Sequence, residues 1–435
     1  MFLKVKCFRI IPKRYIQALY VQPENRQGNQ IPVEVQLDYA KRLANRKQFE
    51  QTLKRRGADQ RVDISMLYDQ WQQLKEAEKQ KRSVIPRLKY WRDIIDGRVI
   101  KPNITIEMAK DKLKNAENDW KLANKKFTAC EAIFYPNYLQ LPNDLLDKTP
   151  DTAQIILNFG DKCENECSSH LAYDKLIKYM NENSYYLKGA AAQFDLLFPI
   201  QCTAYFERNN FTLFNNPDFV RTVVIEGAAI PLTETFLIPR HYHENFTNLI
   251  HLAGNGSPMS FLGFLCNIIF DCSLMPMQWI AAGKIYQPTD ENSVGLYDVV
   301  QSTAVQVFIV CTKHQVQEQY AKTLNLILEL LKMLNLHHRV VNVAAKDLHS
   351  TECFATSIEM YAPTLRKYIE IGRISNIGDF ISRRLNFHSA GNEKLIGQKP
   401  NIVAATVCNV TRLLAIILET NNGEIPYDLF KNKEF

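Results

Sequence analysis

The sequence predicts an α+β protein in which a helical, antiparallel coiled-coil arm precedes a domain built on an antiparallel sheet. Three observations carry that expectation. Two long segments in the first third of the chain place apolar residues at alternating steps of three and four, the spacing of paired helices. Beyond residue 150 short apolar runs flank a clear amphipathic helix. Between the two lies Leu141-Pro142-Asn143 through Thr149-Pro150, rich in turn formers and therefore the expected hinge.

With 435 residues the chain has room for two or three domains of ordinary size. A composition of 46% hydrophobic and 23% charged residues, with 16 Gly and 18 Pro, is globular and excludes the disordered, collagenous and disulfide-scaffold classes. The longest apolar stretch, residues 261–270, is interrupted by Asn267 and is too short to cross a bilayer, so no membrane span is expected. The 10 cysteines are scattered, as in a reducing compartment. Only Cys163 and Cys167 have the spacing of a metal pair, with His170 as a third candidate. No second pair follows, and no metal is expected. His241-Tyr242-His243 reads as a polar surface turn and not as a ligand set.

The first element in chain order is a leader. Lys4, Lys6, Arg9, Lys13 and Arg14 are interleaved with Phe2, Leu3, Val5, Phe8, Ile10, Ile11, Tyr15 and Ile16, and no acid appears before Glu24. Basic, apolar and acid-free is the composition of a mitochondrial transit peptide, expected here over residues 1–23; a basic surface strand is the alternative. Residues 24–140 then form the arm. Residues 33–56 read as helical, and Gly57 and Asp59 break them. The outgoing helix follows with Ile64, Leu67, Trp71, Leu74, polar Glu78 and Lys81 at the same phase, then Ile85 and Leu88. Pro86 is expected to kink it. The returning helix carries Ile106, Ala109, Leu113, Ala116, Trp120, Ala123, Phe127 and Cys130, and a turn over residues 97–103 joins the two. Residues 141–435 form the second domain, with strands at 307–312 and 339–343, an amphipathic helix over 315–334 and a closing helix over 409–420.

Net charge is +7, and its placement matters more than its size. Between residues 79 and 101 stand Lys79, Lys81, Arg82, Arg87, Lys89, Arg92, Arg98 and Lys101 against only Asp93 and Asp96. With the basic leader added, the rest of the chain is slightly acidic. A basic cluster on a projecting arm suits a polyanion, because counterions released from a phosphate backbone supply most of the affinity.

Several motifs in the second domain carry a family resemblance. Tyr185-Tyr186-Leu187-Lys188-Gly189 resembles the segment that opens the catalytic domain of seryl-tRNA synthetases, which are class II aminoacyl-tRNA synthetases. Asn216-Pro217-Asp218-Phe219-Val220-Arg221 resembles their first class II motif, with Pro217 at the dimer-interface position. Ser375-Asn376-Ile377-Gly378-Asp379-Phe380-Ile381-Ser382-Arg383-Arg384-Leu385-Asn386 is the most specific match, and Thr411-Arg412 through Glu419 resembles the third motif. The resemblance runs from about residue 33 to the end and implies a class II synthetase-like antiparallel-sheet fold.

The departures from that family imply a loss of activity. Gln287, after Tyr286, stands where the second motif carries an arginine for the α-phosphate and substrate carboxylate, and Thr289 stands where it has a glutamate. Val300, Thr303 and Gln306 replace a His, a glutamate and a second glutamate that receives the serine ammonium. The family's Thr-x-Glu loop falls near Gly256-Ser257-Pro258, and Thr233-Glu234-Thr235 lies too far upstream to serve. Glu370 matches a magnesium-binding glutamate and Arg412 the third motif's phosphate arginine, but Arg373 replaces a serine facing the metal. At about 4 Å and an effective dielectric near 20, that arginine repels a dication by roughly 8 kcal/mol. Ala405, Val407 and Thr411 replace glycines, and their side chains are expected to fill adenine and phosphate space. Losing even one preorganised donor costs about 3 to 4 kcal/mol of transition-state stabilisation.

The whole pattern resembles the seryl-tRNA synthetase-like insect mitochondrial proteins. It implies a matrix protein without cofactor that binds tRNA, serine tRNA included, does not charge it, and pairs with itself or with the mitochondrial seryl-tRNA synthetase. A divergent active class II ligase and a protein-binding scaffold with no RNA role are the alternatives.

Overall fold

The computed structural model describes residues 18–21, 33–60, 62–162, 167–181, 184–238, 249–289, 295–391 and 399–426. Most of the expected leader, Cys163 and the His241-Tyr242-His243 turn lie outside them. The chain divides into two compact units, one holding residues 38–141 with the described residues 20–21, and the other residues 142 onward together with the described residues 18–19 and 33–37.

The first unit is helical: α1 (Tyr39–Ala44), α2 (Arg46–Arg55), α3 (Ile64–Ile95) and α4 (Ile106–Leu139). The helix expected from residue 33 begins only at Tyr39 and breaks at Asn45. Asn45 stops α1 and caps α2, its side chain accepting the Gln48 N–H at 3.3 Å. Helices α3 and α4 start on the caps Asp63 and Thr105, and Gly97, at φ +73°, opens the turn between them. Their antiparallel register is fixed by Gln70 with Asn137 at 3.0 Å, Gln80 with Lys126 at 3.1 Å and Arg87 with Asp119 at 3.1 Å. Helix α3 runs unbroken through Pro86, which is exposed. The outgoing seam differs from the expected one in its second half. Ala77 and Val84 are buried, whereas Ile85 is 48% exposed. Ala77 and Val84 stand three residues after Leu74 and Lys81, so the buried stripe steps by three where the expected seam steps by four to Glu78 and Ile85.

The second unit contains β1 (Gln154–Phe159), β2 (Ile177–Asn181), β3 (Ser184–Leu187), α5 (Ala190–Arg208), β4 (Thr212–Leu213), β5 (Phe219–Arg221), α6 (Thr222–Gly227), β6 (Phe236–Ile238), β7 (Ile250–Leu252), α7 (Pro258–Leu265), β8 (Ile269–Asp271) and β9 (Met277–Tyr286). It continues with β10 (Gln301–Cys311), α8 (Val316–Lys332), β11 (His338–Asn342), β12 (Phe354–Ala362), β13 (Lys367–Gly378), α9 (Phe380–Arg384), β14 (His388–Ala390), β15 (Asn401–Asn409) and α10 (Val410–Thr420). Eight strands form one sheet in the order β1-β11-β12-β13-β15-β10-β9-β4, antiparallel throughout except for the β4–β9 edge. This is the expected α+β architecture of a class II synthetase core.

Alternation along the strands gives the sheet two faces. Val305, Val307 and Ile309 of β10, with Ala405 and Val407 of β15, pack into one apolar core with α5, α8 and α10. The opposite face carries Ala304, Gln306 and Phe308, and it is there that the site stands.

Candidate functional site

The site begins as a row across the sheet. Ala281 of β9 pairs with Gln306 of β10, Gln306 with Thr406 of β15, Thr406 with Arg373 of β13, and Arg373 with Ser357 of β12. Directly opposed residues share a face, so five strands deliver these side chains to one floor. Gln306 and Thr406 satisfy each other: the amide Nε2 donates to Oγ1 at 2.9 Å, and Oγ1 donates back to Oε1 at 3.1 Å. Ala281, Gln306 and Ser357 of this floor are buried, whereas Thr406 and Arg373 remain partly exposed.

Arg373 occupies the centre. Its Nε and Nη2 grip Glu352 at 2.8 and 2.6 Å, and its Nη1 reaches Glu370 at 3.0 Å. Glu352 also accepts Ser375 Oγ at 2.5 Å and the His349 N–H at 2.8 Å, while Ser357 Oγ donates to Glu370 at 2.7 Å. Burial alone would raise the Glu352 carboxyl, but Arg373 and His349 outweigh it and hold it well below the usual carboxylate range. Glu370, the carboxylate expected to meet a magnesium ion, is paired with the same guanidinium at 3.0 Å, and Mg²⁺ does not fit beside that charge.

Arg412, the retained third-motif arginine, is committed as well. Its Nε donates to the Tyr297 carbonyl at 2.9 Å and its Nη1 to the Glu370 carbonyl at 3.1 Å. Tyr297 is held in turn by its hydroxyl on Glu419 at 2.8 Å. The buried Glu419 also accepts Thr364 Oγ1 at 2.6 Å and His170 Nδ1 at 2.7 Å. His170 Nε2 accepts the Leu296 N–H at 3.1 Å, so both ring nitrogens are used and His170 is no metal ligand. Burial would raise the Glu419 carboxyl, and these donors lower it overall. Gly295, at φ +55°, is required at this joint, because a Cβ there would stand 2.5 Å from His170 Nε2.

The remaining expected positions are scattered. Gln287 donates its N–H to the Val300 carbonyl at 3.1 Å, closing the base of the β9–β10 connection. The buried Thr289 Oγ1 has no partner among the described residues. Thr303 is three residues from Gln306 and therefore on the other face, where Lys284 Nζ donates to its Oγ1 at 2.5 Å and to Asp195 at 2.7 Å. Ala405 and Val407 do not fill nucleotide space as expected; they belong to the core beneath the sheet, and the site-facing residues of β15 are Ala404 and Thr406. Thr411 accepts the Thr303 N–H at 2.9 Å. Gly256-Ser257-Pro258 brings no carboxylate: Ser257 caps α7, with Pro258 at its first position. The preceding loop lies hard against β9, since a Cβ on Gly283 would meet Asn255 Oδ1 at 1.9 Å. Sequence reading missed Glu352, Thr406 and Ser357. The strand parity of β15 marks Thr406, whereas Glu352 stands in a turn with no local signal. Among the described residues no cluster of His, Cys, Asp or Glu could hold a metal.

On the arm, the eight basic residues divide into two groups. Arg82 pairs with Glu78 at 2.5 Å, Arg87 with Asp119 at 3.1 Å, Arg92 with Glu117 at 3.5 Å, and Arg98 with Asp93 and Asp96 at 3.3 Å. Two of those acids come from the returning helix, which a count along the outgoing one does not see. Lys81 lies 4.5 Å over the Phe127 ring. Lys79, Lys89 and Lys101 are exposed and have no acidic partner among the described residues. Exposed ion pairs of this kind are worth little and are screened by salt, so the arginines still contribute to the local field.

Pro217 is exposed at the start of β5, beside Phe219 at 53% exposure. Leu196, Leu197 and Ile200 lie exposed on α5, and Leu213 on β4. No helix of the described residues is long and apolar enough to cross a membrane.

Comparison with known proteins agrees with the fold. The tRNA synthetase class II core domain (G, H, P, S and T) matches residues 265–421. A serine–tRNA synthetase-like protein of Drosophila melanogaster, Slimp, is 30% identical over 93% of this chain and 89% of its own. The mitochondrial serine–tRNA ligase of Bos taurus is 25% identical over 84% of this chain and 76% of its own. Among solved structures, seryl-tRNA synthetase from Pyrococcus horikoshii, complexed with ATP, has a TM-score of 0.79 at 17% identity, covering 92% of this chain and 98% of that one.

Proposed function

The chain belongs to the seryl-tRNA synthetase-like family, and from that membership we propose that it is a mitochondrial tRNA-binding pseudosynthetase, holding serine tRNA without activating serine or using ATP. The observation that carries this reading is the position of Arg373. A guanidinium fixed between Glu352 and Glu370 takes the place of the cation that a triphosphate needs. The Gln306–Thr406 pair supports it, because a buried neutral amide already satisfied by a hydroxyl offers an ammonium no carboxylate.

The arm supplies the affinity in this reading. Lys79, Lys89 and Lys101 contact phosphates directly, and Lys81, Arg82, Arg87, Arg92 and Arg98 contribute to the same field. The acid-free leader and the mitochondrial ligases among the relatives favour the matrix. Exposed Pro217 and Phe219 before and in β5, and exposed Leu196 and Ile200 on one side of α5, offer apolar surface for a second subunit, either another copy or the mitochondrial seryl-tRNA synthetase.

Three measurements on the purified protein test the reading. Serine-dependent pyrophosphate exchange with ATP is expected to be nil, and calorimetry is expected to find no ATP binding. Serine tRNA is expected to bind with a steep salt dependence. Exchange activity would establish the divergent ligase instead; no tRNA binding would leave the protein scaffold.

A further inference from the structure

Glu226 is a buried carboxylate that no part of the proposed function uses. It lies in α6 at 4% exposure, and its Oε2 accepts two consecutive backbone N–H groups, Ala18 at 2.9 Å and Leu19 at 2.7 Å. The two residues are more than 200 positions away in sequence and are themselves buried, Leu19 at 2%. Tyr20, the next residue, lies edge-on to Tyr135 with ring centroids 5.2 Å apart.

A carboxylate removed from water needs donors, and charge-assisted bonds from backbone N–H groups are among the strongest available. Residues 18–19 supply two of them and also fill a site with the Leu19 side chain. A leader removed as far as residue 23, the limit its composition suggests, would take both donors away and uncover that site. We propose that Glu226 is the receptor for residues 18–19, which are a structural part of the working protein, so that any processing cut falls before Ala18. The amide that Glu226 holds at Ala18 is then the downstream limit of the removable segment.

The inference uses the mitochondrial reading only for the existence of a cut. A whole chain found in another compartment would count against that localisation and leave the anchor standing. The direct test is the intact mass and N-terminal sequence of the protein isolated from its native cells. The expected chain begins at or before Ala18; a chain that begins after Ala18 overturns the proposal. A second test uses the full-length protein. Leu19→Pro deletes one donor and Glu226→Leu deletes the acceptor. Each is expected to lower Tm by about 3 °C, and because the two changes delete the two ends of one bond, the double variant to fall by less than their sum. Additive losses would show that the two residues act independently and would equally overturn it.

Discussion

Arg373 holds Glu352 by a two-pronged contact, Nε to Oε1 at 2.8 Å and Nη2 to Oε2 at 2.6 Å, and turns its remaining nitrogen to Glu370 at 3.0 Å. A side chain of the protein thus supplies the positive charge between these two carboxylates.

This arrangement predicts an asymmetric response to mutation. Arg373→Met leaves buried Glu352 without its guanidinium partner, and breaking a buried pair from one side costs about 3 to 5 kcal/mol. Arg373→Met combined with Glu352→Met removes both charges and is expected to recover most of that loss. Urea unfolding of the two variants and the parent measures the difference; a double variant no more stable than Arg373→Met would show that the pair is not what holds this part of the sheet. The pair is also insensitive to mild acid. A carboxyl held below its unfolded value contributes stability that is complete above that value, near 4.5, and is lost progressively as pH falls from there to the folded value, so the contribution is intact from neutrality to about pH 5.

The arm makes a prediction about salt. Lys79, Lys89 and Lys101 have no acidic partner among the described residues, whereas Arg82, Arg87, Arg92 and Arg98 each face one. Changing the three lysines to Gln is expected to lower the slope of log affinity for tRNA against log salt by about 2, near 0.7 to 0.9 for each phosphate no longer neutralised. Changing Arg87 and Arg92 to Gln is expected to cost less per residue, because part of each charge is already spent on Asp119 and Glu117. Filter binding at several salt concentrations separates the two sets. Equal slopes in the parent and the triple-lysine variant would remove the RNA role of these residues.

How far these features could be read from the sequence depends on the range of the interaction. The hairpin arm was legible because a 3.5-residue repeat is local, yet the choice of Val84 over Ile85 was not, since Ala77 with Val84 and Glu78 with Ile85 keep the same seven-residue spacing and only the partner helix decides between them. The basic stretch at 79–101 was legible, but Asp119 and Glu117 reach it only once the second helix folds back. In the second unit, motif spacing located Gln306, Glu370, Arg373 and Arg412. It misplaced Thr303, Ala405 and Val407 because a strand changes face at every residue, and spacing alone does not say which face is the site. Glu352 could not be found at all. It lies 21 residues before Arg373, and nothing around it resembles a ligand set.

A buried histidine near the first class II motif predicts a loss of stability that begins at higher pH. His251 of β7 stands between Thr222 Oγ1 at 3.0 Å and Thr235 Oγ1 at 2.9 Å, and burial pushes its pKa down to about 4. Its unfolded value is near 6.5, so between these limits the unfolded chain takes up a proton that the folded one refuses. Stability is complete above about pH 6.5 and falls as pH drops through that window, by about 2 kcal/mol at pH 5. His251→Asn is expected to be less stable at pH 7 but to lose less on going to pH 5. Urea melts at the two pH values give the comparison, and an unchanged pH slope in the variant would assign the dependence to other groups.

The last prediction concerns the exposed apolar face of α5. Leu196 and Ile200 are four residues apart, hence on one side of the helix, at 67% and 62% exposure, and they lie in the same unit as exposed Pro217 and Phe219. An isolated exposed leucine needs no explanation, but several on one helix point to a partner. Ile200→Asp places a charge on that face without touching the core, so the folded chain is expected to keep its Tm at low concentration while losing self-association. Sedimentation velocity over a range of protein concentrations reads the outcome, with a parent dimer becoming a monomer in the variant. The same substitution is expected to abolish co-purification with the mitochondrial seryl-tRNA synthetase if the pair is mixed. A variant that retains the parent's association in both measurements would move the interface off α5, and Phe219→Asp would then test the β5 edge alone.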